Sequence, residues 1–250
     1  MLDSLESLPT ASEIKAFSID DATTTEIDDA FSVQPLSLGS FRIGIHIAAP
    51  ALGILPGSQL DQIAAKRLST VYLPGKKVTM LPNEVIQHFT LAEAVYSPAL
   101  SLYLDVSDDF TVMTRQSKIE MIQVVANLRH DSLEQLFNEE TLRKKIIDYP
   151  FARELGLLWN FAKKMEALRG KENDINNEKI DYSFLVDGEQ VSIQERRRGS
   201  PIDKVVSELM IYINTEWGKQ LAEEGIAAIY RNQNNGKVKM SLSPAPHQGL

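Results

Sequence analysis

The sequence has 250 residues, 43% of them hydrophobic and 24% charged, which is ordinary for a globular chain long enough to bury a sizeable core. No apolar run approaches the roughly 20 residues needed to span a bilayer, and with no cysteine at all, disulfides and thiolate metal sites are excluded. The net charge of −8 and a pI near 5.1 weigh mildly against a generic nucleic-acid binder, though not against an enzyme that concentrates carboxylates around a metal.

In chain order, the first half reads as short strands. Ala16 to Ile19, Ala30 to Val33 and Phe41 to Ala48 have strand character, with Leu38-Gly39-Ser40 as the turn between the last two. Ser58 to Leu68 has helical spacing, with Leu60, Ile63, Ala64 and Arg67 sharing a face. Pro74-Gly75 and Leu81-Pro82 punctuate an irregular stretch, and Leu100 to Val106 with Phe110 to Val125 form a hairpin around Ser107-Asp108-Asp109.

The second half turns helical. Asn138 followed by Glu139 and Glu140 opens a helix, and the apolar period continues through Leu157, Leu158, Phe161, Met165 and Leu168. Gly156 or the Tyr149-Pro150 step divides this region into two helices. Gly170 to Lys179 is read as an exposed loop, and a hairpin follows around Asp187-Gly188. Ser200-Pro201-x-Asp203 starts a long helix that stops at Gly225. A last strand is expected over Ala227 to Arg231, with another stretch at Lys237 to Leu242. Meandering strands followed by helices indicate an α+β fold, with a mixed or mostly antiparallel sheet packed by several helices.

The sharpest chemical feature is the segment Ile19 to Ala30. Asp20, Asp21, Glu26, Asp28 and Asp29 place five carboxylates within ten residues, without a lysine or arginine among them. Such density is unfavourable unless a cation or several donors offset the repulsion. Hard divalent ions take oxygen ligands, and two-metal phosphodiester hydrolysis needs several carboxylates at one point. A solvated acidic loop is the alternative, whereas a calcium loop of EF-hand type lacks its mid-loop glycine and terminal glutamate. The four histidines, His46, His88, His130 and His247, are scattered and read as structural or exposed.

The order of motifs resembles the catalytic domain of the ribonuclease II/R (RNB) family. Residues 19–30 match its opening pattern, an Ile-Asp followed by a threonine-rich loop and acidic-x-Asp-Asp-Ala. Gly44-Ile45-His46-Ile47-Ala48, Pro56-Gly57-Ser58-x-Leu60-Asp61, Ala64-x-x-Arg67-x-x-x-x-Tyr72-Leu73-Pro74 and Met80-Leu81-Pro82 follow. Glu208-Leu209-Met210 with Asn214, Gly236-Lys237-Val238 and Pro246-His247-Gln248-Gly249-Leu250 complete the series.

The resemblance implies 3′-to-5′ hydrolysis of single-stranded RNA to nucleoside 5′-monophosphates. It implies magnesium, or manganese in its place, held by Asp20, Glu26, Asp28 and Asp29, which are also the catalytic carboxylates. Tyr72 matches an aromatic residue that stacks on a terminal base, and Arg67, Arg197, Glu208 and Lys237 are the further candidates for RNA contact. Arg196-Arg197-Arg198 with Lys204, and Arg231, Lys237 and Lys239, are the basic groups available to phosphates, or else a solvated positive face.

Several positions depart from the family pattern. Glu26 stands where aspartate is usual, Ala49 replaces a carboxylate, Asn176 falls near a stacking phenylalanine, and Ser207 replaces one of two glutamates. The family's Ser-Pro-x-Arg-Arg-Tyr segment, whose arginine helps hold the scissile phosphate, would follow Leu250. The expectation is therefore a single RNB-type domain over residues 1–250, incomplete at its C-terminus, without flanking cold-shock or S1 barrels and weak or inactive on its own. A cytoplasmic monomer with no membrane association is expected. A catalytically disabled RNA- or partner-binding module is the alternative, and a structural or calcium-binding protein a more distant one.

Overall fold

The computed structural model describes residues 7–22, 24–73, 76–170, 180–188, 190–197 and 199–230. By internal contacts the chain divides into two units, Met1–Ile213 and Asn214–Leu250.

The first unit is built on five strands: β1 (Ala16–Asp20), β2 (Asp29–Pro35), β3 (Phe41–Ala48), β6 (Tyr96–Val106) and β7 (Val112–Arg129). They close into a barrel in the order β1-β2-β3-β6-β7. All neighbours run antiparallel except β1 and β7, whose parallel pairing sets Asp20 beside Arg129. The expected α+β mixture with a mostly antiparallel sheet is present, and its closure into a barrel is what the strand patterns alone did not reveal.

Along β7, buried Glu120, Ile122 and Val124 alternate with the more accessible Met121, Gln123 and Val125, which assigns the first set to the interior. The register brings Ala16, Ser18, Ala30, Ser32, Gly44, His46, Ala99 and Ser101 onto the same side. Five strands leave little space inside, and on β1, β2 and β3 the side chains around His46 are small. His46 fills the centre fully buried, its Nε2 2.9 Å from Ser32 Oγ and its Nδ1 2.8 Å from Ser101 Oγ. Gly44 makes room for it: a Cβ there would lie 2.3 Å from Ser32 Oγ and 2.7 Å from His46 Nε2.

The opposite strand faces carry the bulk, with Phe17, Phe31, Ile43, Ile45, Leu102 and Leu104 essentially inaccessible. Each such side chain contributes about 1.5–3 kcal/mol when fully buried. Helix α5 (Ala152–Leu168) begins at Phe151, whose ring lies 4.6 Å from that of Phe17. It buries Leu155, Leu158 and Phe161, while α6 (Pro201–Glu223) buries Ile202, Val205 and Leu209. The two helices meet where the Phe161 ring touches Tyr212, 5.7 Å between centroids.

Between β3 and β6 lie α1 (Gln59–Arg67), the two-stranded hairpin β4 (Val71–Leu73) and β5 (Lys76–Val78), and α2 (Asn83–Phe89). Ser58 caps α1 by accepting from the Asp61 amide at 3.3 Å. The hairpin replaces the irregular stretch expected around Pro74-Gly75. After β7 the chain enters α3 (His130–Leu136) and α4 (Glu139–Lys144), the second opened by the capping box of Asn138 and Thr141. The division of the following region falls at Tyr149-Pro150, and Gly156 lies inside α5. A second hairpin, β8 (Ile180–Asp187) and β9 (Gln190–Arg197), turns at Asp187-Gly188 as expected.

In the second unit α6 ends near Gly225, which has a positive φ of 66°, and the Tyr230 hydroxyl donates to the Gly218 carbonyl at 3.3 Å. The strand expected over Ala227 to Arg231 is corrected: residues 227–230 form none, because no neighbouring strand among the described residues offers them a ladder. Arg231 and the Lys237 to Leu242 stretch lie outside the described residues, as does the loop at 171–179. Among the described residues no helix is long and apolar enough to cross a membrane.

Candidate active site

The acidic segment sits at one mouth of the barrel. Asp20 ends β1 and Asp29 begins β2, and counting outward from the Phe17–Phe31 pair sets Asp20 opposite Asp28. The intervening loop is tied down by its backbone rather than left to solvent. Ala48 N donates to Asp28 O at 2.8 Å, Leu91 N to Ile27 O at 2.9 Å, and Ile27 N to Thr90 Oγ1 at 2.7 Å. Ile27 itself is buried in an apolar cluster with Ala30, Leu91 and Ala99. From the far end of β7, Arg129 Nη1 donates to the carbonyls of Asp21 and Thr24 at 3.1 and 3.2 Å.

This rigid backing forces the carboxylates into each other's field. Burial, with Asp20 and Asp28 nearby, pushes the Asp29 carboxyl up to about 7. Its Oδ2 is buried and accepts no hydrogen bond. Burial also raises Asp20, although a hydrogen bond from Ser18 and the charge of Arg129 oppose the rise. Asp28 is raised by burial and then by Glu26, with Lys77 opposing.

Glu26 is engaged elsewhere. Lys77 Nζ lies 2.7 Å from Glu26 Oε1 and donates to Thr25 Oγ1 at 2.7 Å. Beside them a cavity of roughly 180 Å³ is lined by Glu26, Asp28, Ala48, Thr70, Met80 and Phe89.

A divalent cation suits the donor chemistry of Asp20, Asp28 and Asp29, which are hard oxygen ligands, and the unpartnered Asp29 oxygen is the atom such an ion would satisfy. Among the described residues no three acidic or histidine side chains already converge as a metal cluster, so ligation requires side-chain rotation.

The other expected residues are dispersed. Tyr72, 73% exposed, stands on β4 in register with Lys77 on β5, on the hairpin that Lys77 ties to the acidic loop. Arg67 Nη1 donates to the Thr79 carbonyl at 2.9 Å and so braces the chain leaving β5. Glu208 is buried on α6 in an ion pair with Arg169 and is not presented to the mouth as a free carboxylate. Ser207 is exposed and its hydroxyl turns back to the Lys204 carbonyl, while Lys204 pairs with Glu166. Arg197 ends β9 opposite Ile180; its side chain, Asn176 and Lys237 lie outside what is described. Of the histidines, His88 stacks edge-on against Phe89, and buried His130 holds Asp203 at 3.1 Å.

Lys77 and Arg129 are the site residues that sequence reasoning missed. Lys77 was legible in principle, since Pro-Gly is a turn signal in the sequence and the strands flanking it pair Lys77 with Tyr72. Arg129 carries no local signal, because it reaches Asp20 only through the parallel closure of the barrel.

The chain is thus a closed five-stranded barrel domain with carboxylates crowded at one mouth. The family model for the RNB domain matches residues 10–243, and the chain belongs to that family. It is 29% identical over 207 residues to exoribonuclease 2 of Vibrio vulnificus, covering 81% of this chain and 31% of the relative. The structure of Mycoplasma genitalium RNase R in complex with ribose-methylated single-stranded RNA superposes with a TM-score of 0.75 at 19% identity, covering 91% of this chain and 36% of that one. Yeast Ssd1, described as a pseudonuclease, shares the fold with a TM-score of 0.67 at 18% identity, over 90% of this chain and 27% of that one. The chain spans about a third of the length of the curated relatives it matches.

Proposed function

We propose that this chain carries the catalytic site of a magnesium-dependent 3′-to-5′ exoribonuclease acting on single-stranded RNA. The family supports a ribonuclease in general terms. The fold does not by itself separate a nuclease from a binding module, because a pseudonuclease shares it. What carries the reading is the backbone-anchored trio Asp20, Asp28 and Asp29, with one Asp29 oxygen buried and unsatisfied. A module that only held RNA would gain nothing from carboxylates pressed together against the phosphates it must attract.

In this reading Asp20, Asp28 and Asp29 hold Mg²⁺, or Mn²⁺ in its place, and the ion supplies positive charge to the phosphate and a more acidic water. Asp28, at the surface of the mouth, orients the attacking water toward the last phosphodiester. Attack breaks the bond to the departing 3′ oxygen and releases a nucleoside 5′-monophosphate. Arg129 keeps the loop in place through Asp21 and Thr24. Tyr72 offers an exposed ring on which a base can stack without being read for sequence.

The test is degradation of a 5′-labelled single-stranded RNA with magnesium by the chain and by Asp28→Asn. Stepwise shortening from the 3′ end, lost in the variant and in chelator, is expected. A folded chain that binds RNA yet never shortens it, at any magnesium concentration, would instead establish the binding module.

A further inference from the structure

Glu26 sits within the acidic segment and close enough to Asp28 to raise its carboxyl, yet its own carboxylate is paired with an ammonium. Lys77 Nζ lies 2.7 Å from Glu26 Oε1 and 2.7 Å from Thr25 Oγ1, so two partners on the acidic loop hold one lysine. The pair is shielded, with side-chain exposures of 33% for Lys77 and 14% for Glu26, so water screens it less than a surface pair. Lys77 faces Tyr72 across the hairpin, and cross-strand partners project to the same side.

The hairpin has little else to fix it. It is three residues long on each strand, and Val71, Tyr72, Leu73 and Val78 are all largely exposed. A two-stranded ribbon of that length is not stable without outside support. Arg67 supplies one brace through Thr79, and Thr70 another by accepting from Met80 N at 3.1 Å. Lys77 is the brace that reaches the acidic loop.

We propose, resting on the RNA reading of the same site, that Glu26 and Lys77 form a tether which sets the distance between the exposed Tyr72 ring and the aspartate trio. Lys77 is then a positioning residue, and Glu26 its anchor rather than a metal ligand. The glutamate side chain serves both parts: it lies near enough to Asp28 to raise that carboxyl, and its Oε1 meets Lys77 on the hairpin. Glu26 and Asp28 also line a cavity with Thr70 and Met80, which flank the hairpin in sequence. A terminal nucleotide stacked on Tyr72 would then present its phosphate at a fixed offset from Asp28.

The experiment uses the full chain with Lys77→Met, Lys77→Arg, Lys77→Glu and the swap Lys77→Glu/Glu26→Lys, each checked for an unchanged thermal transition. Amide hydrogen exchange at residues 71–73 and 76–78 reads the tether without RNA. It should quicken in Lys77→Met and Lys77→Glu and return to the wild-type rate in Lys77→Arg and the swap. With single-stranded RNA and magnesium, Lys77→Met should raise KM about five- to tenfold, the loss of part of one base-stacking contact. Its kcat should stay within about twofold, as expected when binding alone is weakened.

The swap should recover KM and keep the wild-type magnesium dependence, which a metal-ligating Glu26 would not permit. Unchanged exchange in Lys77→Met, or a swap that loses its magnesium response, overturns the tether. A salt dependence of RNA binding that falls by about one charge in Lys77→Met overturns it too, since the lysine would then be touching phosphate directly. If the wild type neither binds nor shortens RNA while the exchange results hold, the tether stands and the exoribonuclease reading fails.

Discussion

Asp29 is poorly placed for folding, and in the proposed reading it is kept for chemistry. One of its oxygens is buried without a donor, and burial with Asp20 and Asp28 nearby lifts its carboxyl to about 7 from an ordinary 3.8. Between those two values the folded chain binds a proton that the unfolded chain has lost, so this group makes stability fall as pH rises through the window and level off above about 7. Asp29→Asn removes the penalty. In chelator at pH 8 it should raise the unfolding free energy by on the order of 1–3 kcal/mol, since each tenfold change in proton affinity corresponds to about 1.4 kcal/mol and the amide recovers only part of the cost. Urea titration reads the gain, and RNA shortening with magnesium should be lost in the same variant. A variant that is less stable than the wild type in chelator would mean that Asp29 has a donor in solution.

His46 works in the opposite sense. It is fully buried between two serine hydroxyls, and burial pulls it down to about 3. Below the unfolded value of about 6.5 the unfolded chain takes up a proton that the folded chain refuses, so this group makes stability fall as pH drops from there toward 3. Its ring resonances should show no titration between pH 5 and 8. A midpoint near 6.5 would place His46 in contact with water. Its neighbour Gly44 is fixed by the same packing, because a Cβ would press to 2.3 Å from Ser32 Oγ. Gly44→Ala should cost about 1–3 kcal/mol, the usual range for overfilling a packed interior, measurable by urea unfolding.

Among the elements, legibility follows how local the determining contacts are. Strands β1, β2 and β3 were readable because bulky side chains alternate with small or polar ones, and that period is written in the strand itself. The start of α6 was readable for the same reason: Ser200 Oγ accepts from Asp203 N, and Asp203 Oδ2 accepts from the Gly199 amide, all within five residues. Helices α2 and α3 escaped because neither has a side-chain cap; α3 runs straight out of β7 at Arg129. Barrel closure escaped because β1 meets β7 more than a hundred residues away. The acidic loop was legible as composition, whereas its geometry depends on Arg129, Thr90 and Ala48, which only the closed barrel delivers. Arg129→Met tests that dependence. Amide exchange over residues 24–28 should quicken and kcat should fall, while the barrel amides stay protected. Unchanged exchange would mean that Ala48, Leu91 and Thr90 suffice to hold the loop.

For the whole molecule the charge balance sets the terms of RNA association. In the proposed reading, a chain of net charge −8 would meet a polyanion through a mouth that concentrates its own carboxylates. The basic side chains described near that mouth are already engaged, Lys77 with Glu26 and Arg129 with loop carbonyls. Without a divalent ion, RNA should therefore be held by stacking and by contacts away from the acids, against local repulsion. Removing one negative charge from the surface of the mouth should strengthen that metal-free binding, even though in the proposed reading it would abolish catalysis. Asp28→Asn in chelator at low salt should bind single-stranded RNA about two- to fivefold more tightly than the wild type, the scale of one partly screened charge. The gain should shrink as monovalent salt is raised toward about 0.5 M, where the Debye length falls to roughly 4 Å. Fluorescence anisotropy of an end-labelled RNA measures both. Weaker binding by Asp28→Asn at every salt concentration would show that Asp28 contacts the RNA favourably without any metal, and the carboxylates would then have to be reinterpreted as acceptors for ribose hydroxyls.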